Sequence, residues 1–353
     1  MITLAELGGW PGVLGPLASG QSLPREHAHA VMREILAGEA TAAQLAGFIV
    51  ALRIKGETID ELSGLLDGML DAAQIVPFTA DERDRLVDIV GTGGDRSHTI
   101  NVSTLAAVVV AGAGGLVCKH GNRAASSSCG AADVLEELGV AIELTPESIL
   151  QCVRQAGAAF CFAPRFHPAL RHAGPTRREL GIPTAFNILG PLANPARARR
   201  YVLGVADASM AEKMAGVLQA HGAIHAMIVH GDDGLDELTT TTTSTVVELR
   251  EGNISTWSLD PADFGIARPE PGALRGGDPA LNASIARDVL SGRRGPRRDV
   301  VVLNAAAGLV VAGLSDSIKE GVLLAAEVID DGRAAAALDR LIKVSVAAAT
   351  TIS

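Results

Sequence analysis

The sequence predicts an α/β protein, with a small all-helical N-terminal domain ahead of a large α/β domain built on a mostly parallel central sheet. Three observations predict this. The first eighty residues carry helix boundaries and no strand signal. From residue 86 short apolar runs alternate with helical stretches of about ten residues, the pattern of βαβ units. A chain of 353 residues with 48% hydrophobic composition can bury a large core, and Gly 39 with only 3% aromatics suits helices packed closely on a sheet. The expected boundaries are 1–80 for the helical domain and 81–353 for the α/β domain. The Pro-, Gly- and Arg-rich stretch 165–195 reads as a crossing segment between them.

The helices of the first part follow from their ends. Leu23-Pro24 opens one and Gly38 closes it, because Pro is tolerated at the first helical position and Gly at the end. Thr41 caps a second, which runs to Lys55 and Gly56. Thr58-x-x-Glu61 forms a capping box for a third, with Leu62, Leu65, Leu66 and Met69 on one face. Beyond residue 86, LVDIVG and LVCKHG read as strands, each followed by a helix, Ser103–Ala111 and AADVLEELG. Thr145-Pro146-Glu147 caps another helix before the strand AGAAFCFAP. RRYVLGVAD, a helix from Met210 to Ala220, AIHAMIVHG and TVVELREG continue the pattern, and DVVVLN reads as a last strand before C-terminal helices. The threonine-rich run at 239–244 reads as an exposed strand entry.

The formal charge of −10 argues against a protein that grips bare nucleic acid, which needs a basic stripe. An anionic ligand of so acidic a chain should arrive with a cation, and that points to a metal. No Lys or Arg precedes Arg25, so no charged segment opens a signal peptide. The longest apolar runs, Thr104–Cys118 and Val300–Leu314, are too short or too interrupted to span a membrane and read as buried helix and strand. A soluble, cytoplasmic protein is expected. Cys118, Cys129, Cys152 and Cys161 form no C-x-x-C pair, so neither a disulfide framework nor a zinc site is expected.

Three clusters carry chemistry. In VGTGGDRSHTINVST, residues 90–104, glycines follow a strand and can present successive N–H groups to an anion, while Ser103 and Thr104 open a helix whose N-terminus attracts negative charge. A Gly-rich turn with an N-cap accounts for this stretch equally well when it is taken alone. It lacks the P-loop lysine, and the third glycine and later acid of a dinucleotide fingerprint are absent. The second cluster, KHGNRAASSSCG at 119–130, places polar donors at the end of the next strand, where ligands bind in parallel α/β sheets. One such turn is an ordinary polar loop; two on consecutive strand ends face one polyanion. In the third, HGDDGLDE at 230–237, Asp232-Asp233-Gly234 reads as a turn. Asp236 and Glu237 are hard oxygen ligands of the kind Mg²⁺ takes together with substrate phosphates.

Taken in order, G-T-G-G-D, N-x-S-T, K-H-G-N-R-x-x-S-S and H-G-x-D-G-L-D-E resemble the motifs of the anthranilate phosphoribosyltransferases of tryptophan biosynthesis. AGFIVALRIKGET and GIPTAFNILGPLANP extend the resemblance over nearly the whole chain. It implies an Mg²⁺-dependent transferase of nucleoside phosphorylase-like architecture, homodimeric through the helical domain, with phosphoribosyl diphosphate and anthranilate as substrates and no membrane or nucleic-acid partner. It implies that Gly91, Gly94, Asp95, Thr99, Asn101, Val102, Ser103 and Thr104 hold phosphoribosyl diphosphate, joined by Lys119, Asn122, Arg123, Ser126, Ser127 and Ala131. Gly91, Asn122, Arg177, Gly190 and Pro191 would meet anthranilate, and Ser103, Asp236 and Glu237 would hold magnesium. Lys119, Arg123 and His120 are the catalytic candidates. Some members carry serine where this chain has Ala131, a loss of one phosphate hydrogen bond worth about 0.5–1.5 kcal/mol.

Two rivals are weaker. A pyrimidine nucleoside phosphorylase needs no metal carboxylate pair, so Asp236-Glu237 argues against it. A nucleic-acid-binding relative of the same fold would need a basic groove, against the charge of −10.

Overall fold

The computed structural model describes residues 2–124, 128–270 and 272–350. The chain starts with helices α1 (Gly9–Ala18), α2 (Arg25–Ala37), α3 (Ala42–Lys55) and α4 (Ile59–Asp71). Their ends are local chemistry. Thr41 Oγ1 accepts from Gln44 N and Thr58 Oγ1 from Glu61 N, each with the reciprocal bond of a capping box, and Gly38 ends α2 in the left-handed region at φ 82°. Glu61 is fully buried and also accepts from Lys55 Nζ at 2.8 Å, which ties the start of α4 to the end of α3.

Short helix α5 (Ala80–Arg85) leads into β1 (Leu86–Gly91), followed by α6 (Val102–Gly112), β2 (Leu116–Gly121), α7 (Ala131–Leu138), α8 (Pro146–Ala156) and β3 (Ala158–Phe162). The crossing segment holds α9 (Ala163–Phe166), α10 (Gly174–Leu180) and α11 (Ala185–Leu192). Then come β4 (Arg200–Gly204), α12 (Ala211–Ala220), β5 (His225–Gly231), β6 (Ser244–Arg250) and β7 (Asn253–Leu259). Helices α13 (Pro279–Leu290), α14 (Pro296–Ala312), α15 (Ile318–Asp330) and α16 (Arg333–Thr350) complete the chain. The seven strands make one sheet in the order β3-β2-β1-β4-β5-β6-β7, parallel except for β6 and β7. No helix among the described residues is long and apolar enough to cross a membrane.

Both faces of the sheet are covered. Val87 and Ile89 point to a core shared with α6 and α13–α16, whereas Leu86, Val90 and Cys118 point to a second core. That second core runs without a break into α1–α4 through Leu62, Leu66 and Met69. The helical part therefore has no separate core; it closes one face of the sheet.

Three sequence expectations need correction. DVVVLN is not a strand but lies inside α14, which is buried from Val300 to Val311. A helix apolar on all sides has no 3.6-residue stripe, so its β-branched run reads as a buried strand. Strand β7 was not expected, because its residues are mostly exposed and hydroxyl-rich. It joins β6 through Glu251 and Gly252, both at positive φ (51° and 78°), the geometry of a tight hairpin turn. The threonine run is a buried turn and not an exposed strand entry: Thr239 and Thr240 are fully buried. Thr239 Oγ1 donates to Asp233 Oδ2 at 2.8 Å, and Thr241 Oγ1 to the same carboxylate.

Candidate active site

The connections run from β1 outward to β2 and β3, and from β4 outward to β5, so the crevice between the ends of β1 and β4 is the switch point where α/β sheets bind ligands. Gly91 pairs with Gly204 there. The loop after β5 lays Asp236 directly on both. A Cβ at Gly91 would stand 2.5 Å from Asp236 Oδ2, and one at Gly204 would stand 1.6 Å from the Asp236 carbonyl oxygen. Gly204→Ala should therefore displace the Asp236 backbone. Turnover should fall at least tenfold while the far-ultraviolet circular dichroism is retained, and full activity in this variant would show that the loop position is not required.

Asp236 and Glu237 are 9% and 8% exposed. Gly93 N–H donates to Asp236 Oδ2 at 2.7 Å, and Ser103 N–H, in the first turn of α6, donates to Glu237 Oε1 at 3.1 Å. Burial raises both carboxyls above their ordinary range, Glu237 to about 7, and for Asp236 the neighbouring Glu237 and Asp95 add to it. Two buried acids side by side favour a cation between them. Lys119, 4% exposed, supplies part of it from below: its Nζ donates to Ser103 Oγ at 3.2 Å and to the Ile89 carbonyl. Burial lowers the Lys119 ammonium, opposed by Asp88, Glu237 and Asp236. Among the described residues no three His, Cys, Asp or Glu side chains preform a metal cage. A pair of carboxylates with a hydroxyl, left open on the ligand side, suits Mg²⁺, which completes its shell with water and phosphate oxygens.

The loop between β1 and α6 is shaped by backbone at positive φ, at Gly93 and Gly94 (68° and 85°) and also at Arg96 and His98 (58° and 53°). Non-glycine residues in this region store strain, which gathers at functional sites. Asp95 accepts from Ser97 N–H at 3.2 Å and from its hydroxyl. Thr99 bridges to Arg275, with its Oγ1 3.4 Å from Ser97 Oγ. Val102 is core, and the buried Thr104 Oγ1 has no partner among the described residues. The Asn101 side chain braces loops: Nδ2 donates to the Cys129 carbonyl at 3.1 Å and Oδ1 accepts from Asn282 Nδ2 at 3.0 Å. Burial pushes the Cys129 thiol up to about 11.

The second strand end is only partly brought into the site. Asn122 Oδ1 accepts from Arg123 N–H at 2.7 Å, and Ala131 is the first residue of α7. Ser126 and Ser127 lie outside the described residues. Arg123 is the correction here. Its guanidinium does not face the Asp236-Glu237 pair as a free cation; it donates to Asp133 at 3.0 Å and to Glu136, and lies 5.3 Å over the Phe162 ring. In an acidic chain a flexible arginine finds the nearest carboxylates, here those of α7.

Of the acceptor candidates, Arg177 lies on α10 and Gly190 and Pro191 on the next helix, α11. Arg177 in α10 is half-buried, stands 4.9 Å over the Phe186 ring, and has no acid partner among the described residues. Burial alone lowers its pKa. Phe186 belongs to α11, which also carries Gly190 and Pro191, and the space beside Gly190 is open. His120 makes a backbone hydrogen bond at Gly190, and its ring lies 5.2 Å from that of His167. Burial holds the His120 imidazole well below its ordinary value, so it is neutral, and its Nε2 has no partner among the described residues.

Three residues of this architecture were not found from sequence. Asp88, fully buried in β1, accepts from His120 N–H at 3.0 Å and from Asn194 Nδ2 at 2.7 Å; burial pushes its carboxyl up to about 6. Asn304 of α14 clamps the residue after Glu237: Oδ1 accepts from Leu238 N–H at 2.9 Å and Nδ2 donates to its carbonyl at 2.8 Å. The available signal was a lone polar residue in an apolar run, Asp88 in LVDIVG and Asn304 in DVVVLN. Asn304→Leu should leave the buried Leu238 amide unpaired and destabilise the fold by about 1–3 kcal/mol, measured by urea unfolding.

Comparison with known proteins places this geometry. The glycosyl transferase family a/b domain matches residues 83–335, and the helical bundle domain of the same family matches residues 12–73. The chain is 52% identical over 348 residues to the anthranilate phosphoribosyltransferase of Rhodococcus jostii, covering 97% of this chain and 95% of that one. It belongs to the anthranilate phosphoribosyltransferase family. The enzyme of Thermus thermophilus has the same fold, with a TM-score of 0.88 and 43% identity over 94% of this chain and 99% of that chain. The Saccharomyces cerevisiae enzyme, solved in complex with PRPP and Mg, matches with a TM-score of 0.87 and 29% identity, over 96% of this chain and 98% of that one. The expected fold and family are thereby borne out.

Proposed function

We propose that this chain transfers the phosphoribosyl group of 5-phosphoribosyl 1-diphosphate to the amine of anthranilate, releasing diphosphate, with Mg²⁺ as cofactor. The observation that carries this reading is the pair of buried carboxylates that the loop after β5 lays on the ends of β1 and β4, accompanied on α10 by a half-buried guanidinium with no acid partner among the described residues. The first suits a metal-bound diphosphate and the second an aromatic carboxylate. Membership of the family and the PRPP and Mg bound by the yeast relative support it.

Substitution at the anomeric carbon builds negative charge on the departing diphosphate and positive charge on the sugar. Mg²⁺, held by Asp236, Glu237 and the Ser103 hydroxyl, would neutralise the diphosphate. Lys119 stabilises that arrangement from beneath, and the N–H groups of Gly93 and Ser103 stand where phosphate oxygens are expected. Arg177 orients the acceptor through its carboxylate, a planar fork meeting a planar acid. The aromatic amine is itself a competent nucleophile, so no Ser–His or Cys–His pair is required. Asn101 and Asp88 act through other residues, as braces. Arg123 reaches phosphate only by leaving Asp133 and Glu136.

The direct test mixes the protein with phosphoribosyl diphosphate, Mg²⁺ and anthranilate and follows the loss of anthranilate fluorescence. Absence of turnover that chelation and readdition of Mg²⁺ can modulate would overturn the assignment. We further read the chain as a cytoplasmic homodimer joined through its helical part, with 1–80 and 81–353 as bodies linked by the crossing segment. Ile54, 82% exposed at the end of α3, is an apolar side chain available for such a contact. Sedimentation of Ile54→Lys should shift toward monomer, and an unchanged dimer would remove this face from consideration.

A further inference from the structure

A second cavity lies by the N-terminal ends of the central strands. It is walled by α4, α5, the start of β4 and α12, and measures about 450 Å³, within the range of small-molecule sites. Its walls include Arg83 and Asp84 just before β1, Tyr201 near the start of β4, and Ala223 just before β5. The crevice described above stands at the other ends of these strands.

The charges in this cavity do not cancel. Its three acids are already paired: Asp67 with Arg25 at 2.7 Å and His221 at 3.0 Å, Asp71 with His29 at 2.8 Å, and Asp84 with Arg199 at 2.6 Å. Arg83 and Arg197, in the same wall, meet no carboxylate among the described residues; the Arg83 Nε reaches only the Thr79 carbonyl, at 3.4 Å. Arg197 is also held at φ 51°, a strained backbone for a residue with a side chain. The unpaired charge facing the cavity is therefore cationic, in a chain whose net charge is −10. The floor is apolar, from Leu66, Leu70 and Leu218, and it contains the Tyr201 phenol. Tyr201 is 4% exposed and its hydroxyl has no hydrogen-bond partner among the described residues.

We propose that this cavity is a binding site for a small amphipathic organic anion. A carboxylate or phosphate would lie against Arg83 and Arg197, and an aromatic or aliphatic body over Leu66, Leu70 and Tyr201. The cations set the sign of the ligand, the leucines its body, and the phenol provides one further polar contact. Inorganic anions fit poorly because the floor offers them nothing. Its wall also contains Asn194, whose Nδ2 donates to Asp88, so a ligand here meets a residue bonded to the buried acid that holds His120 N–H.

The test uses the whole protein with its crevice filled by diphosphate and Mg²⁺. The probe is 8-anilinonaphthalene-1-sulfonate, an aromatic anion that fluoresces when bound. Phenylacetate and phenyl phosphate are then added separately, to separate carboxylate from phosphate ligands. The expected result is probe binding that at least one of the two displaces. Arg83→Ala/Arg197→Ala should weaken it about tenfold, the effect of losing roughly one charge-assisted contact. Turnover of that variant without probe should equal the wild type, since both residues lie far from the crevice. Equal probe binding by the double variant, or failure of both anions to displace it, would overturn the proposal. Loss of probe binding in Arg177→Ala, with Arg83 and Arg197 intact, would place the probe at the acceptor side of the crevice and overturn it too.

Discussion

Asp236→Ala/Glu237→Ala will lose turnover by about a hundred- to a thousandfold, the usual scale for removing a stabiliser of developing charge, and will bind free diphosphate more tightly than the wild type when no Mg²⁺ is present. The second half of this expectation comes from the hydrogen bonds. Asp236 Oδ2 accepts from Gly93 N–H and Glu237 Oε1 from Ser103 N–H. These are the donors that the glycine loop and the start of α6 offer to an anion, so without metal the two carboxylates stand where phosphate oxygens would. Drawing the acids onto a divalent cation frees the donors; deleting the acids frees them permanently and leaves Asp88 as the nearby acid that still offsets the Lys119 charge. Calorimetry with diphosphate in chelator should show the double variant binding about tenfold tighter, a gain of about 1.4 kcal/mol. Adding Mg²⁺ should then reverse the order, because only the wild type gains. If the variant binds diphosphate no better than the wild type in chelator, the acids are not occupying the phosphate donors.

The same contacts explain what could be read in the chain alone. Thr41, Thr58 and Thr145 cap helices by bonding three residues ahead, so these ends are legible in any short window. The glycine turns at 91–94 and the donors of KHGNR are also local, and they mark strand ends. What stayed hidden is long-range. Asn194 reaches Asp88 across 106 positions, and Asn304 reaches Leu238 across 66, and neither pairing leaves a spacing to recognise. Gly204 was missed for the same reason: its side-chain-free surface matters only because Asp236 lies on it. Arg123 shows a different limit. Its residue type marks an anion ligand, but the next helix, α7, supplies Asp133 and Glu136, and those acids engage it. α14 was misread because burial on every side erases the pattern that separates a helix from a strand.

Arg177→Ala will raise the Michaelis constant for anthranilate about ten- to a hundredfold, the effect of losing a charge-assisted hydrogen bond of roughly 1.5–3 kcal/mol. The residue is half-buried on α10, packed over Phe186, with no acid partner among the described residues. A guanidinium with no acid partner among the described residues, held at a cost in desolvation, is poised for an anion that comes and goes, and the Phe186 it packs on belongs to α11, the helix that carries Gly190 and Pro191. Diphosphate binding by calorimetry should be nearly unchanged, since Asp236, Glu237 and Lys119 are intact. Arg177→Lys should recover only part of the loss, because an ammonium replaces the charge but not the two parallel donors. Aniline, which lacks the carboxylate, should be an equally poor acceptor for wild type and Arg177→Ala, and this separates recognition from packing against Phe186. A variant that loses aniline turnover as steeply as anthranilate turnover would show that Arg177 supports the fold of α10 and α11 and does not read the acceptor.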